Sequence, residues 1–312
     1  MNPIIKVIGV GGSGSNTVSR MAHLRAQKKI DIGAVELLSA NTDAQALFFS
    51  RVDKKILIGK EITHGLGTGM DADLGKKSAE ESRQEILENL KGADMVFITC
   101  GLGGGTGSGA SPVIAEISKQ LGILTIVVVT TPFSFEGEQR KKVAKVALET
   151  FEGKTDSLLV ISNDKLLKII DEKTTVSNAF LMCDDILREA VQGITDLIIS
   201  PGIINIDFAS VLSIMKNSGR AMFGSGRASG ENRAVLAAEK AINSPLLDFS
   251  VQGCKGVLFN VSGQDITLSE IQKAAEVITK NVDTKAQIIF GALKDNAIKS
   301  GGLKVSVIAT KF

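Results

Sequence analysis

Residues Gly101-Leu102-Gly103-Gly104-Gly105-Thr106-Gly107-Ser108-Gly109 constrain this chain more than any other stretch. Six glycines in nine residues carry a heavy backbone-entropy cost, so the fold must need bare backbone at this place. A short apolar run, Met95 to Thr99, precedes the loop, and an alternating segment from Pro112 to Leu121 follows it. The pattern is strand, glycine loop, helix. A loop so placed can bring amide N–H groups and a helix N-terminus against a polyanion, with the Thr106 hydroxyl as a further donor. The plainer alternative is a flexible surface turn, which the close flanking strand and helix argue against.

The same alternation runs through the first half. Strands are expected at Ile4–Gly9, Val35–Ala40, Lys55–Ile58, Met95–Cys100, Ile123–Val129 and Leu158–Ile161. Helices are expected at Ser15–Leu24, Ala72–Leu90, Ala110–Leu121 and Glu136–Phe151. Apolar strands between amphipathic helices imply a parallel sheet covered on both faces, and ligands of such sheets bind at the carboxyl ends of the strands. Val176–Ile199 reads as one long helix, with Val176, Ala179, Phe180, Cys183, Ile186, Leu187, Ala190, Val191, Ile194 and Leu197 at three- and four-residue spacing. It would run about 36 Å and stop at Ser200-Pro201-Gly202. Helices at Phe208–Lys216, Asn232–Ile242 and Leu268–Val282 then alternate with strands at Ala221–Ser225, Gly256–Val261, Gln287–Phe290 and Lys304–Ala309. The fold class is therefore α/β: a parallel-sheet domain joined by a long central helix to a smaller α/β domain.

Composition excludes several functions. At 312 residues and 44% hydrophobic content, two domains with sizeable cores are expected. A net charge of +2 supplies no basic field for nucleic acid. No apolar run spans a bilayer, so no direct membrane insertion is expected. Met1-Asn2-Pro3 leads straight into a strand, so no signal peptide is expected and the location is cytoplasmic. Cys100, Cys183 and Cys254 match no metal or disulfide spacing and read as small buried residues. With two histidines, His23 and His64, imidazole-centred metal or triad chemistry has few ligands to draw on.

A second glycine loop follows the first strand: Gly9-Val10-Gly11-Gly12-Ser13-Gly14-Ser15-Asn16 contains G-x-G-x-x-G, alone a weak dinucleotide signal. Two such loops can grip one phosphate chain from both sides. A nicotinamide site needs only the first loop and an acid after the second strand, where Asp43 is poorly spaced. Gly153-Lys154-Thr155 is no Walker loop, because Leu148 stands where the earlier glycine belongs. Glu136 and Arg140, four apart on the expected helix, suit a ribose or phosphate edge or form an ordinary exposed ion pair. Phe180 and Asp184 are a second such pair. A ring beside a carboxylate can stack on a base and accept two N–H bonds from guanine, an edge that adenine lacks; Phe180 alone fits a core position equally. Asn163 is a turn residue or a base contact.

Together these residues resemble the FtsZ family of tubulin-like prokaryotic division GTPases, over essentially the whole chain. Gly104-Gly105-Thr106-Gly107-Ser108-Gly109 resembles the tubulin signature. Family blocks recur at Asn41–Leu47, Pro132–Gly137, Ser229–Ala234 and Ser244–Leu247. The resemblance implies a GTP-binding, Rossmann-like domain over 1–175, a central helix over 176–200 and a GTPase-activating domain over 201–312. It implies that Gly11, Gly12, Ser13, Gly14, Ser15 and Asn16, with Gly101, Gly104, Gly105, Thr106 and Gly107, hold the phosphates of GTP or GDP, Asn16 also reaching the base. Glu136 and Arg140 would contact the ribose and nearby phosphate oxygens; Asn163, Phe180 and Asp184 would bind guanine. Mg²⁺ would accompany the nucleotide, with no protein metal ligand assigned. The loop Gly202–Ser210 would project onto the γ-phosphate of the next subunit in a head-to-tail homopolymer, Asn205 and Asp207 acting on the attacking water. Asp207 also reads as a helix N-cap.

Four departures matter. Ser210 stands where the family pattern has a second aspartate, so hydrolysis is expected to be slow, the alternative being a polymerising scaffold or modulator without effective GTPase activity. Met70-Asp71-Ala72 replaces a small residue followed by Asn-Pro, and Asp71 beside a γ-phosphate would be repulsive unless Mg²⁺ lies between them. Ser13 and Ser15 replace commoner residues and read as harmless donors. The family's disordered linker and tail, which recruit division proteins and membrane anchors to the division site, have no counterpart before Phe312. A nicotinamide-dependent oxidoreductase, taking NAD at Gly9–Gly14, is the remaining reading and leaves the second glycine loop without a purpose.

Overall fold

The computed structural model describes residues 3–27, 35–167, 170–171, 173–199, 202–244, 251–295 and 297–311. The expected helix stop at Ser200-Pro201 and the block after Ser244 lie outside these. The chain divides into two compact units, Met1–Val191 and Gln192–Phe312.

In the first unit the strands are β1 (Ile5–Val10), β2 (Glu36–Asn41), β3 (Lys54–Leu57), β4 (Met95–Gly101), β5 (Leu124–Thr131) and β6 (Ser157–Ser162). They pair in parallel in the order β3-β2-β1-β4-β5-β6. The order reverses between β1 and β4, where an open α/β sheet leaves a crevice at its carboxyl edge. The helices are α1 (Gly11–Ala26), α2 (Ala44–Phe49), α3 (Lys60–Thr63), α4 (Ala72–Glu81), α5 (Arg83–Leu90), α6 (Gly105–Gln120), α7 (Glu138–Thr150) and α8 (Asn163–Leu166). β1 is buried along its whole length, and α6 is buried through nearly all its turns. One core cluster, including Ile8, Val10, Ile98, Ile114, Val127 and Phe151, fills the space between sheet and helices.

The long helix α9 (Val176–Ile199) has the bounds its periodicity predicts and joins the two units in sequence. Ala179, Cys183, Leu187, Ala190, Val191, Ile194 and Leu197 are buried, as the three- and four-residue spacing requires, Ile186 is half-buried, and Val176 and Phe180 of the same set are exposed. In the second unit α10 (Phe208–Met215), α11 (Arg233–Ile242) and α12 (Leu268–Thr279) accompany β7 (Gly219–Ser229), β8 (Gly256–Gly263), β9 (Gln287–Lys294) and β10 (Gly302–Thr310). The strands run β7-β10-β8-β9, the first two pairings antiparallel and the last parallel. This is the smaller α/β unit that the sequence implies. Cys100, Cys183 and Cys254 are buried, and no disulfide joins them.

Four helices differ most from expectation, each for a local physical reason. The expected helix Ala72–Leu90 is two, broken at Ser82, whose hydroxyl turns aside to accept a hydrogen bond from the Gly59 amide at 3.0 Å. The helix expected at Glu136 begins at Glu138, after a single 3-10 turn (Ser134–Glu136) and Gly137 at φ 98°. Most consequentially, α1 and α6 start four and five residues early, winding the glycines into their first turns. Glycine is a poor helix former, so tertiary contact must decide this.

The contact is visible. A Cβ at Gly105 would lie 2.6 Å from the Asp71 carbonyl oxygen, at Gly107 2.7 Å from that of Gly101, and at Gly109 1.9 Å from that of Ala72. Reciprocally, a Cβ on Gly75 would meet the Gly105 carbonyl at 2.4 Å. Half the signature glycines therefore serve the seating of α6 on α4 and β4. The expectation that all six answer to a polyanion is corrected accordingly. Gly109→Ala is expected to lower stability by about 1–3 kcal/mol through forced separation of α4 and α6. The midpoint of urea unfolding measures it, and an unchanged midpoint contradicts this packing account.

Candidate functional site

A cleft of about 510 Å³ opens at the carboxyl edge of the first unit's sheet. It is lined by the segments that leave β1, β2, β4, β5 and β6, together with the loop 66–70 and the start of α9. Its floor is made by the N-termini of α1 and α6. Gly11, at φ 70°, turns the chain from β1 into α1, and a Cβ there would lie 2.9 Å from the Gly107 nitrogen. The two glycine loops are thus in contact, and only bare backbone permits it. Neither helix has a side-chain cap, whereas α2, α4, α10 and α12 are capped by Asp43, Asp71, Asp207 and Thr267. The first-turn amides of an uncapped helix have no intrahelical acceptor and point outward from the positive end of the helix dipole. At Gly12 and Gly104, both in the lining, a Cβ would meet nothing within 4 Å, so open space stands over these two backbones.

Charge in the lining is sparse. Asp43, Glu136 and Asp184 are the acids and Arg140 the base. Arg140 is already engaged: its Nη1 donates to Glu136 Oε2 at 2.7 Å, while Glu136 Oε1 accepts from the Phe133 amide at 2.9 Å. Because Glu136 precedes α7, the pair straddles the helix start rather than lying along one helix face, which corrects the sequence expectation. A multiply charged anion here would be met mainly by N–H dipoles, as in backbone nests. Hydroxyls complete the floor. Thr106 lies 2.7 Å from Thr42 and 3.2 Å from Thr68 through their hydroxyl oxygens, linking the segments after β2 and α3 to the first turn of α6.

The other end of the cleft is shaped for a flat ring. Phe180 is 41% exposed and stands edge-on to the buried Phe133 at 5.5 Å, so it is a supported platform rather than a core residue. Asp184 lies one turn further along α9 and accepts from the Thr17 hydroxyl at 3.2 Å. Asn163 is 5% exposed and its Oδ1 has no partner; Asn41, 2% exposed, likewise leaves Nδ2 unmatched. An unpaired buried polar atom facing a cleft awaits a ligand atom or a water. Burial pushes Asp184 up to about 6, against the pull of the Thr17 hydroxyl and Arg20, with Asp185 adding to the rise. Burial beside Asp184 and Glu136 pushes the Cys183 thiol up to about 12, so it stays protonated and unreactive.

Of the residues assigned to phosphate, ribose and base, the cleft gathers Gly12, Ser13, Gly101, Gly104, Gly105, Thr106, Gly107, Glu136, Arg140, Asn163, Phe180 and Asp184. Four are not in its lining. Gly11, Gly14 and Ser15 are buried under α1, where Ser15 accepts from the Ser39 hydroxyl at 2.7 Å, and Asn16 is exposed on that helix. Asp71 also stands outside: its carboxylate caps α4 through the Leu74 amide at 3.0 Å, so the feared repulsion has another outlet. Asn41, Thr42, Thr68 and Met70 also line the cleft, and no motif in the sequence assigns them to it. Nothing in their local spacing marks them as lining; the sheet topology does.

The second unit holds the remaining assigned pair. Asn205 Oδ1 accepts from the Gly202 amide at 2.6 Å, and the adjoining Ile204 bridges to Ala292 of β9. Asp207 caps α10, accepting from the Ser210 amide at 2.6 Å. The Ser210 hydroxyl and amide hold its exposed carboxylate below the usual range. The N-cap reading of Asp207 is therefore correct, whatever else the residue does.

This architecture has known relatives. Residues 4–171 match the Tubulin/FtsZ family, GTPase domain, and residues 219–312 match the FtsZ family, C-terminal domain. The chain belongs to the Tubulin/FtsZ family. Its fold is similar to that of M. jannaschii FtsZ solved as an empty dimer, with TM-score 0.92 and 43% identity, covering 99% of this chain and 88% of that one. A point mutant of M. jannaschii FtsZ gives TM-score 0.93 at 43% identity, covering 99% and 91%. CetZ2 from Haloferax volcanii, solved as a GTPγS-bound protofilament, shares the fold at TM-score 0.83 and 22% identity, covering 99% and 93%. The resemblance to the FtsZ family read from the motifs holds. Among the described residues no helix is long and apolar enough to cross a membrane.

Burial of Asp184 carries a stability cost. Its folded pKa, about 6, lies above the ordinary 3.8, so the penalty is absent below pH 3.8, grows between the two values and is complete above pH 6. Asp184→Asn is expected to raise unfolding free energy at pH 7.5 by about 2 kcal/mol, and to bring no gain at pH 3.5. Denaturation of both proteins at the two pH values measures the difference; a variant less stable at pH 7.5 contradicts the assignment.

Proposed function

We propose that this chain binds GTP in the cleft of its first unit and hydrolyses it to GDP and phosphate within a head-to-tail filament of its own copies. The observation that carries the reading is the pairing of two uncapped, contacting helix N-termini with an exposed ring and a carboxylate at the far end of one cleft. The floor suits a triphosphate: open space over Gly12 and Gly104 is what a phosphate chain needs, and a Cβ at either position would fill it. The far end suits guanine. Phe180 offers a face, ionised Asp184 accepts the N1–H and 2-amino protons, and the free Asn163 oxygen accepts a further donor. Adenine presents no adjacent donor pair to a carboxylate, so ATP is disfavoured. Glu136, holding Arg140, addresses the ribose and the neighbouring phosphate oxygens.

Mg²⁺ fits as a companion of the nucleotide rather than as a resident ion. Among the described residues no cluster of three or more His, Cys, Asp or Glu could hold a metal, while the oxygens of Thr42, Thr68 and Thr106 are of the hard type it accepts beside phosphate. When bound it neutralises charge developing on the phosphate oxygens. The attacking water is the task left open, since the cleft's acids are committed to capping, ribose and base. Asn205 and Asp207 of a neighbouring copy are proposed to orient and deprotonate it. A head-to-tail contact that does not close generates a filament, and the empty dimer of M. jannaschii FtsZ lends support to self-association.

Hydrolysis is proposed to be slow. Ser210 brings no second negative charge, and its hydroxyl and amide withdraw electron density from Asp207, making that carboxylate a weaker base. The same contacts favour a second reading, in which the filament is a GTP-bound scaffold with little turnover.

Phosphate release and light scattering, followed together with GTP across a protein titration, test the reading. Turnover per subunit is expected to rise steeply with concentration and in step with scattering; a constant rate per subunit contradicts the shared site. Ser210→Asp is expected to raise the rate about tenfold or more. An unchanged rate means that the serine is not limiting. Gly104→Val is expected to abolish GDP binding while leaving the thermal midpoint within a few degrees, because its side chain meets only open space.

A further inference from the structure

Thr17 is fully buried on α1, one turn beyond the phosphate-facing residues, and no motif singles it out. Its hydroxyl oxygen lies 3.1 Å from the Ser13 carbonyl oxygen and 3.2 Å from Asp184 Oδ1. Both partners are acceptors when Asp184 is ionised, and a hydroxyl has one proton to give. Ser13 lines the phosphate end of the cleft and Asp184 the base end, so one proton is shared between the two ends of a single ligand site.

Resting on the guanine-nucleotide reading above, we infer that Thr17 is a positioning residue for base recognition: its hydroxyl fixes the Asp184 carboxylate and favours its ionised form. An ionised carboxylate outcompetes a neutral carbonyl for the proton, because the hydrogen bond is charge-assisted. With Asp184 protonated, the hydroxyl returns to its i−4 carbonyl, the usual resting bond of a threonine inside a helix. With Asp184 ionised, Oδ1 is pinned from behind, and Oδ2 with the second lone pair of Oδ1 is left for two N–H donors. The groups that set this balance come from every element around the carboxylate. Arg20 on α1 favours ionisation and is itself held by Asp185, at 3.1 Å. Asp185 on α9 and burial oppose it. Cys183 beside it stays a neutral thiol, and Glu136, from the turn before α7, adds negative charge near that thiol. Against this opposition, the Thr17 hydroxyl is the close neutral donor that tips Asp184 toward the form guanine needs.

The test is calorimetric binding of GDP and ADP to the full chain between pH 5 and 8.5, for wild type, Thr17→Val and Thr17→Ser, with circular dichroism to verify folding. Wild type is expected to select GDP and to lose affinity as pH falls below about 6. Thr17→Val, which keeps the shape and removes the proton, is expected to bind GDP about tenfold more weakly at pH 7.5, with its acid limb moved upward by roughly one pH unit. Thr17→Ser is expected to restore both. Should the valine variant fail to fold, Thr17→Ala is read by the same criteria. Selection of GDP with an unmoved acid limb in the valine variant overturns the role of Thr17 alone. Equal weakening in the valine and serine variants with the limb unmoved marks packing and also overturns it. Wild type that takes ADP as readily as GDP overturns the guanine reading beneath.

Discussion

The contact between Gly11 and Gly107 governs the first unit. A Cβ at Gly11 would stand 2.9 Å from the Gly107 nitrogen, so α1 and α6 can bring their N-termini together only as bare backbone. That contact falls where the strand order reverses, between β1 and β4. Two positive helix ends then face one cleft, and neither is quenched by a capping side chain. The arrangement explains how a cleft with Arg140 as its lining base can suit a polyanion. Dipoles fixed by the fold replace mobile cations, and they need no ordering when a ligand arrives.

Around this centre the remaining residues divide between holding and being held. Gly105, Gly107 and Gly109 lock α6 to its neighbours; Gly12 and Gly104 leave space for a ligand. Thr42, Thr68 and Thr106 tie three separate segments into one floor. Phe133 packs edge-on against Phe180, and its amide holds Glu136, so the exposed ring and the cleft's acid share one anchor. Asp184 is kept ionisable in an apolar setting at a cost in stability, which a ligand's N–H donors can return. In the second unit, Asp207 is bound by the start of its own helix, and Ser210 sets how basic it is.

Much of this was legible in the sequence, and the failures have physical causes. The strands, the long helix α9 and twelve of the lining residues follow from apolar periodicity, glycine loops and family motifs, because these express local propensity or fixed spacing. The early starts of α1 and α6 were not legible, since glycine's low helix propensity is overruled by close backbone approach. The break at Ser82 depends on the Gly59 amide, distant in sequence. Gly14 and Ser15 belong to the first glycine-loop motif yet face the interior, because a helix that begins at Gly11 turns them under. Spacing alone fits Phe180 equally to core or platform; its neighbour Phe133 takes the buried place, which leaves Phe180 exposed. Thr17 was invisible because its significance is a distance to α9, 167 residues away.

The central claim is that backbone amides of two apposed helices, not cationic side chains, receive the phosphates of a guanine nucleotide. Amide-resolved NMR of the isotopically labelled chain during titration with GDP addresses it most directly. The account predicts the largest shifts at the amides of Gly12, Ser13, Gly104, Gly105 and Thr106, with the Phe180 ring moving in the same titration. Shifts that bypass both glycine loops and gather on exposed lysines would contradict it.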